Sequence, residues 1–385
     1  MNNKTYRILI GGDLLPSGSN VPLFVEGNVE ELFGEEILQL FSNSDFSIVN
    51  LEGPLTDSTN QQEKAGPVIK APKACINGIQ ALGVKAVALA NNHITDYGQQ
   101  GYEDTINTLD HAKIRHIGSG TTHGGVNSHY ILNLGVKNIC IYNVSERFFN
   151  VPGKNTAGAN LYDEYLVCNE IKELRKTCDY MIVMYHGGAE YFQYPTPVVR
   201  QRCHRMADSG ADFIVTQHTH CIGCEEHYKD SYILHGQGNF LFARQKMFPN
   251  LTKEGLLTEI CFTDDDVCIV NHHLRISNDV IRYKSDWDLK GFKKRSTQLN
   301  DEEMILAKYR DLKVSEIMNK FLAAAQGSSL PNRFLRRFFP KYYLRQLSHN
   351  YTRKQLLLNL CVIGQDRRNE DMLGVLEYLL EHTAK

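Results

Sequence analysis

Five short apolar runs, each leading into a polar residue of metal-ligand type, punctuate the first 220 residues and constrain this chain more than any other feature. Tyr6-Arg7-Ile8-Leu9-Ile10-Gly11-Gly12 leads into Asp13, and Phe46-Ser47-Ile48-Val49 leads into Asn50-Leu51-Glu52. Ala86-Val87-Ala88-Leu89-Ala90 leads into Asn91-Asn92-His93, with Asp96 close behind. Residues 180–185 lead into His186-Gly187-Gly188 and then Glu190, and Asp212-Phe213-Ile214-Val215 leads toward His218-Thr219-His220. Apolar runs of this length read as buried strands, and the segments between them as helices or loops, which makes alternating βα units. In such sheets ligands gather beyond the carboxyl ends of the strands, so distant residues converge on one pocket.

The residue types at those exits point to a metal. Side chains on a strand repeat every two residues, so His218 and His220 are expected to project to the same side. Carboxylates, an amide and imidazoles together suit Mn, Fe or Zn, whereas calcium takes oxygen ligands. Plainer readings exist for each residue: Asp13 as a cap or turn residue, Asn91-Asn92 as a turn, the histidines as packed core. Three imidazoles at strand exits favour the metal.

The runs GGDLLPSG (11–18), DFSIVNLEGPLT (45–56), ALANNHITDYG (88–98), MYHGGAEY (184–191), ADFIVTQHTH (211–220) and HGQGNF (235–240) resemble the bacterial capsule-synthesis, or poly-γ-glutamate CapA, proteins. That family is placed in the calcineurin-like metallophosphatase superfamily. The resemblance runs collinearly over about residues 5–245. It implies an α/β fold, a β-sandwich flanked by helices, with a metal centre at one edge. By that resemblance the metal ligands are Asp13, Glu52, Asn92, His186, His218 and His220, with His93 meeting the substrate. Two positions depart from the superfamily pattern: Leu15 stands where a histidine is usual, and Glu52 where the bridging residue is Asp. Gln217 replaces a glycine. Both main departures fall on the same ion, so one strong site is expected and a second that is weak or absent.

The implied chemistry is hydrolysis by metal-activated water. His93 would protonate the leaving group or hold a developing oxyanion, and Asp96, three residues on, would orient it. Glu190 is expected to contact substrate or brace a ligand, and Lys70, in Lys70-Ala71-Pro72, to bind an anionic group. The favoured reading is a hydrolase of a capsular or cell-envelope polymer, poly-γ-glutamate-like, or of its precursor. A metallophosphoesterase on a small phosphorylated substrate and a non-catalytic capsule-assembly component remain alternatives.

Charge is nearly balanced, 42 basic against 44 acidic residues, so no broad basic field suggests nucleic acid. No apolar stretch approaches 18 residues. Residues 1–5 enter a strand without an apolar targeting core, so a cytoplasmic location is expected. Ten scattered cysteines fit buried reduced thiols; Cys221-Ile222-Gly223-Cys224 lacks the second pair of a zinc ribbon. Helices are expected over 101–112, 161–176 and 197–209, and the strand-rich stretch 229–285 is expected to build a second sheet. A metallophosphatase-like domain over 1–290 and a helical C-terminal subdomain over 296–385 follow. Within the latter, residues 332–345 interleave Arg and Lys with Phe and Tyr, a pattern suited to peripheral contact with an anionic membrane. Nothing in the sequence sets an oligomeric state.

Overall fold

In the computed structural model, residues 5–317 are described apart from 65–66, 123–124, 136, 149, 243–249 and 264–265. The chain lays down β1 (Tyr6–Leu15), α1 (Val21–Glu26), α2 (Val29–Phe33), α3 (Glu35–Ser42), β2 (Phe46–Leu51), α4 (Ile76–Ala81), β3 (Ala86–Ala88), α5 (Gly98–His111) and β4 (Arg115–Ile117). There follow β5 (Ser119–Thr121), β6 (Gly125–Asn127), β7 (His129–Leu134), β8 (Lys137–Ser145) and β9 (Gly158–Ala159). Next come α6 (Glu164–Arg175), β10 (Tyr180–His186), α7 (Pro197–Asp208), β11 (Phe213–Gln217), β12 (Ile222–Tyr228), β13 (Ser231–Gln237) and β14 (Asn239–Phe242). Last are β15 (Glu254–Phe262), β16 (Val267–Ser277), β17 (Val280–Tyr283), α8 (Leu289–Thr297) and α9 (Glu302–Ile317).

The first sheet has the order β17-β16-β15-β1-β2-β3-β4, with β14 also pairing to β1. Its β1 to β4 half is parallel and its β15 to β17 half antiparallel. The second sheet runs β12-β13-β11-β10-β8-β7 around a parallel centre. A small third sheet joins β6, β5 and β9.

Strand alternation builds the layers. On β1, Ile8 and Ile10 enter a core shared with Ile182 and Met184 of β10, while Leu9 faces the helices beside Phe33 and Ile79. On β10, Met181, Val183 and Tyr185 turn the other way, against Val167 and Ile171 of α6 and Cys203 and Met206 of α7. Two sheets therefore share one apolar interior and carry helices on their outer faces. Strands buried on both faces read as near-continuous apolar runs, which is why these segments are prominent in the sequence. Fully burying each such Ile, Leu or Val contributes on the order of 1.5–3 kcal/mol.

The expected helices form with small changes at their ends. Thr196 caps α7 by accepting from the Val199 amide, with Pro197 at the first position, and Asp163 caps α6 in the same way. Two expectations are corrected. Only the 231–237 part of the strand-rich stretch joins the second sheet; β15, β16 and β17 return to the first, because β15 pairs with β1 through Ile8↔Ile260 and Ile10↔Thr258. Asp13 lies inside β1, not beyond its end. One compact unit runs to Leu306: α8 docks on β12, Arg295 Nε donates to Gly223 O at 2.7 Å, and Arg200 reaches Leu299 O. Among the described residues no helix is long and apolar enough to cross a membrane. The expected helices beyond α9, and the membrane-contacting segment 332–345, lie outside the described residues.

Candidate metal centre

Asp13 sits on an irregular stretch of β1. The register of β1 shifts against β2 between Gly11 and Asp13, and against β14 between Asp13 and Leu14. Such bulges re-aim a side chain. Asp13 Oδ1 accepts from Asn50 Nδ2 at 2.7 Å, and Oδ2 from the His218 amide at 3.2 Å. The carboxylate is thus fixed by the next strand and by the histidine loop. Asn91 ties the β3 exit to β2 by donating to Leu51 O at 2.8 Å, which sets the adjacent Asn92 and His93.

His218 and His220 do converge, but not by strand alternation. β11 ends at Gln217, and both histidines lie beyond it with left-handed backbone, φ 85° and 53°. Non-glycine residues adopt that conformation rarely and at a cost of order 1–3 kcal/mol, and they cluster at functional sites. The twist leaves the two rings 6.0 Å apart, with His218 4.8 Å from His186, the last residue of β10.

Three overlapping groups result, each with its donor atoms within 4.8 Å of one another: Asp13, Glu52 and His220; Glu52, His186 and His218; Glu190, His218 and His220. His186 Nε2 also lies 2.8 Å from Asn92 Oδ1, so that amide oxygen faces the same space. Of the expected ligands, all six are brought together, and Glu190 joins them. Glu52 is the telling member. It is fully buried, and neither carboxylate oxygen has a hydrogen-bond partner; His218 Nδ1 is likewise unpartnered. His186 Nε2 and His220 Nε2 stand 3.6 and 3.8 Å from Glu52 Oε1, beyond hydrogen-bond reach. Burying a carboxylate without hydrogen bonds costs several kcal/mol, and a cation between it and the imidazoles removes that cost. The donor set therefore fits a divalent transition metal, while its mixed character leaves the choice among Mn, Fe and Zn open.

Electrostatics without an ion show the same strain. Burial, and then the Asp13 charge, push the Glu52 carboxyl well above the usual range. Burial, and then neighbouring imidazoles, hold His186 and His218 well below theirs, in the neutral form that ligates metals. Burial opposes the charge on His220, but Glu52 and Asp13 overcome it and raise this imidazole to about 10.

Beside the cluster, His93 is buried and its Nδ1 lies 2.7 Å from Asp96 Oδ2. Burial lowers the His93 pKa, with Asp96 acting against that shift and Lys64 adding to it. Asp96 Oδ2 also accepts the Ile69 amide at 2.8 Å. Lys64, a residue no sequence motif marks, pairs with Asp96 and places its ammonium 3.2 Å from His93 Nδ1 and 3.3 Å from Asn92 O. Lys70, the expected anion-binding lysine, donates to Ser58 O and lies 4.7 Å over the Tyr97 ring. Asn239 Oδ1, within the Gly238-Asn239-Phe240 motif, stands 2.9 Å from His220 Nδ1 and orients that ring. Gln217 reaches across to Gly11 O and Gln237. Cys221 and Cys224 are buried free thiols pushed up to about 12 by burial, which leaves them protonated and suits packing.

The family profile described as bacterial capsule synthesis protein PGA_cap matches residues 7–244. The capsule biosynthesis protein CapA of Bacillus anthracis is 25% identical over 278 residues, 70% of this chain and 67% of that protein. The PGA biosynthesis protein CapA of Bacillus subtilis is 29% identical over 233 residues, 57% of this chain and 60% of that protein. A probable polyglutamine synthesis accessory protein of Mycobacterium tuberculosis is 24% identical over 221 residues, 53% of this chain and 58% of that protein. The chain thus spans about two thirds or less of the length of each of these relatives. Every element that delivers a residue to the cluster, from β1 to β14, lies inside the matched stretch, and because that match takes in more than half of its length, this chain belongs to the bacterial capsule synthesis protein PGA_cap family.

Proposed function

We propose that the protein is a metal-dependent hydrolase of capsule or exopolymer biosynthesis, acting on an anionic polymer of the poly-γ-glutamate kind or on its precursor. The observation that carries the hydrolytic half is the Glu52 carboxylate, fully buried and without a hydrogen bond among Asp13, His186, His218 and His220. The relatives' names, capsule and polyglutamate synthesis, support the polymer half.

Asp13, Glu52, Asn92, His186, His218 and His220 would hold the ion or ions. A bound divalent ion supplies Lewis acidity and lowers the pKa of water from about 15.7 toward about 7. The chain's own proton chemistry lies in His93. Its Nδ1 is committed to Asp96, which leaves Nε2 for the leaving group of the scissile bond. Burial makes the imidazolium a stronger acid, while the Asp96 carboxylate keeps it accessible and fixes the ring plane. Lys64 locks Asp96 in place from the far side.

Metal content and hydrolysis of poly-γ-glutamate and of an aryl phosphodiester, on wild type and His93→Ala, test this reading. The expected result is at least one transition ion per chain in both proteins, γ-glutamyl cleavage by wild type, and a loss of about 10²–10⁴-fold in the variant. Cleavage of the phosphodiester alone would move the substrate class to phosphate esters. A protein that takes up no ion, or that is loaded and cleaves neither substrate, overturns the hydrolase in favour of an assembly role.

A further inference from the structure

The cluster meets a third carboxylate. Glu190 lies beyond the end of β10 on a turn shaped by left-handed backbone at Gly188 (φ 108°) and Tyr191 (φ 63°). The Tyr191 amide donates to Thr219 O at 2.8 Å, and the Gly188 amide to Glu146 Oε2 at 2.9 Å. Both ends of the turn are fastened, and Glu190 is delivered beside the histidine loop. There a carboxylate oxygen lies within 4.8 Å of donor nitrogens of His218 and His220. Among the described residues, none donates a hydrogen bond to it.

The complementary fact is at position 15. Leu15 is fully buried in the apolar layer with Phe24 and Leu51, and it offers no donor where the resemblance places an imidazole. Asp13, Glu52 and His220 alone are three donors, and transition ions of this class take four or more.

We propose that Glu190 is itself a metal ligand beside His218 and His220, supplying a donor where Leu15 offers none, so that the centre holds two ions. This rests on the metal-centre reading above. His220 belongs both to the depleted group and to the group that contains Glu190, so the Glu190 carboxylate adjoins the depleted group through that imidazole. Charge balance agrees. Three carboxylates offset three of the four charges of two divalent ions, whereas two would leave a net double charge in a buried site. Glu190 is half-buried, so its carboxylate keeps contact with solvent.

The test is ion stoichiometry and affinity for Mn(II) and Co(II), with the cobalt absorption spectrum, on wild type, Glu190→Gln and Glu190→Ala. Ion-free melting temperatures serve as the folding control. The expected result is two ions in wild type, one in Glu190→Ala, and a second-ion Kd raised at least tenfold in Glu190→Gln, with altered cobalt bands. Losing even an outer partner of a ligand costs about 10–100-fold in affinity, so a direct ligand must cost at least that. Variants that keep wild-type stoichiometry, affinity and spectrum overturn the assignment of Glu190 alone. A wild type that binds no ion overturns the metal centre itself, a distinct outcome.

Discussion

The Asp96 carboxylate receives His93 Nδ1 at 2.7 Å on one oxygen and the Lys64 ammonium on the other, with all three side chains nearly buried. A single acid therefore orients the candidate proton donor and neutralises a buried cation. Removing it has two separable consequences.

Asp96→Asn keeps the shape but removes the carboxylate charge that faces the buried Lys64 ammonium. Breaking such a pair costs about 3–5 kcal/mol. Urea unfolding should show a loss in that range, and turnover should fall by about 10²-fold or more with metal content retained. Lys64→Met, which removes the cation and leaves the His93–Asp96 contact, should cost less than Asp96→Asn on both readouts. The reverse order would remove Asp96 from its orienting role.

Gly12 immediately precedes Asp13 and has no room for a side chain, because a Cβ there would collide with the Gly238 carbonyl oxygen. That contact belongs to the β1–β14 pairing, which sets Asp13 beside Asn239. Gly12→Ala must displace one of these strands, so it should weaken metal binding at least tenfold and destabilise by about 1–3 kcal/mol. Calorimetric metal titration with denaturant unfolding reads both, and normal affinity in a stable variant would show that the pairing is dispensable.

Glu226 anchors a network away from the metal. Arg200 grips it at 2.6 and 3.0 Å, and His204 and His235 each lie at 3.0 Å. Burial works to raise this carboxyl, but hydrogen bonds from His235 and Arg200 prevail and hold it well below its ordinary 4.5. A depressed carboxylate gives stability that is fully present above its ordinary pKa and is lost as pH falls through the folded value. Glu226→Gln should cost about 2 kcal/mol near neutrality, less than a fully isolated pair because Arg200 keeps Leu299 O and Asn300 Oδ1. The gap between wild type and variant should begin to close below about pH 4.5. Unfolding measured across pH checks this, and a pH-independent gap refutes it.

Metal uptake should release protons. Without an ion, Glu52 and Asp13 raise His220 to about 10, so its imidazole is charged at neutral pH and must lose that proton to ligate. Apparent affinity should rise about tenfold per pH unit for each proton displaced, and titrations in two buffers of different ionisation enthalpy should report at least one. An ion at 100 times its Kd should stabilise the fold by about 2.7 kcal/mol. Uptake without proton release would place His220 outside the ligand set.

The runs ending near Asp13, Glu52, Asn92, His186 and His218 were legible because strands buried on both faces leave uninterrupted apolar segments, and ligand-type residues stand out at their ends. The α6 and α7 helices were legible from periodicity and from Asp163 and Thr196 as caps. Sheet membership was not: β15 could serve either sheet by pattern, and only its antiparallel pairing to β1 placed it. Nor was the aim of individual side chains. The register shifts around Asp13 and the left-handed turns at His218, His220 and Tyr191 are backbone departures that carry no periodic signature. Lys64 lies in a loop without pattern, so its contact with Asp96, 32 positions away, exists only once that loop folds over the β3 exit. Sequence by itself determined which residues could bind a metal and which strands would carry them, because patterning and residue chemistry are local. Tertiary structure decided how Asp13, Glu52, Glu190 and the imidazoles face one another, because convergence depends on strand register and turn geometry between distant segments.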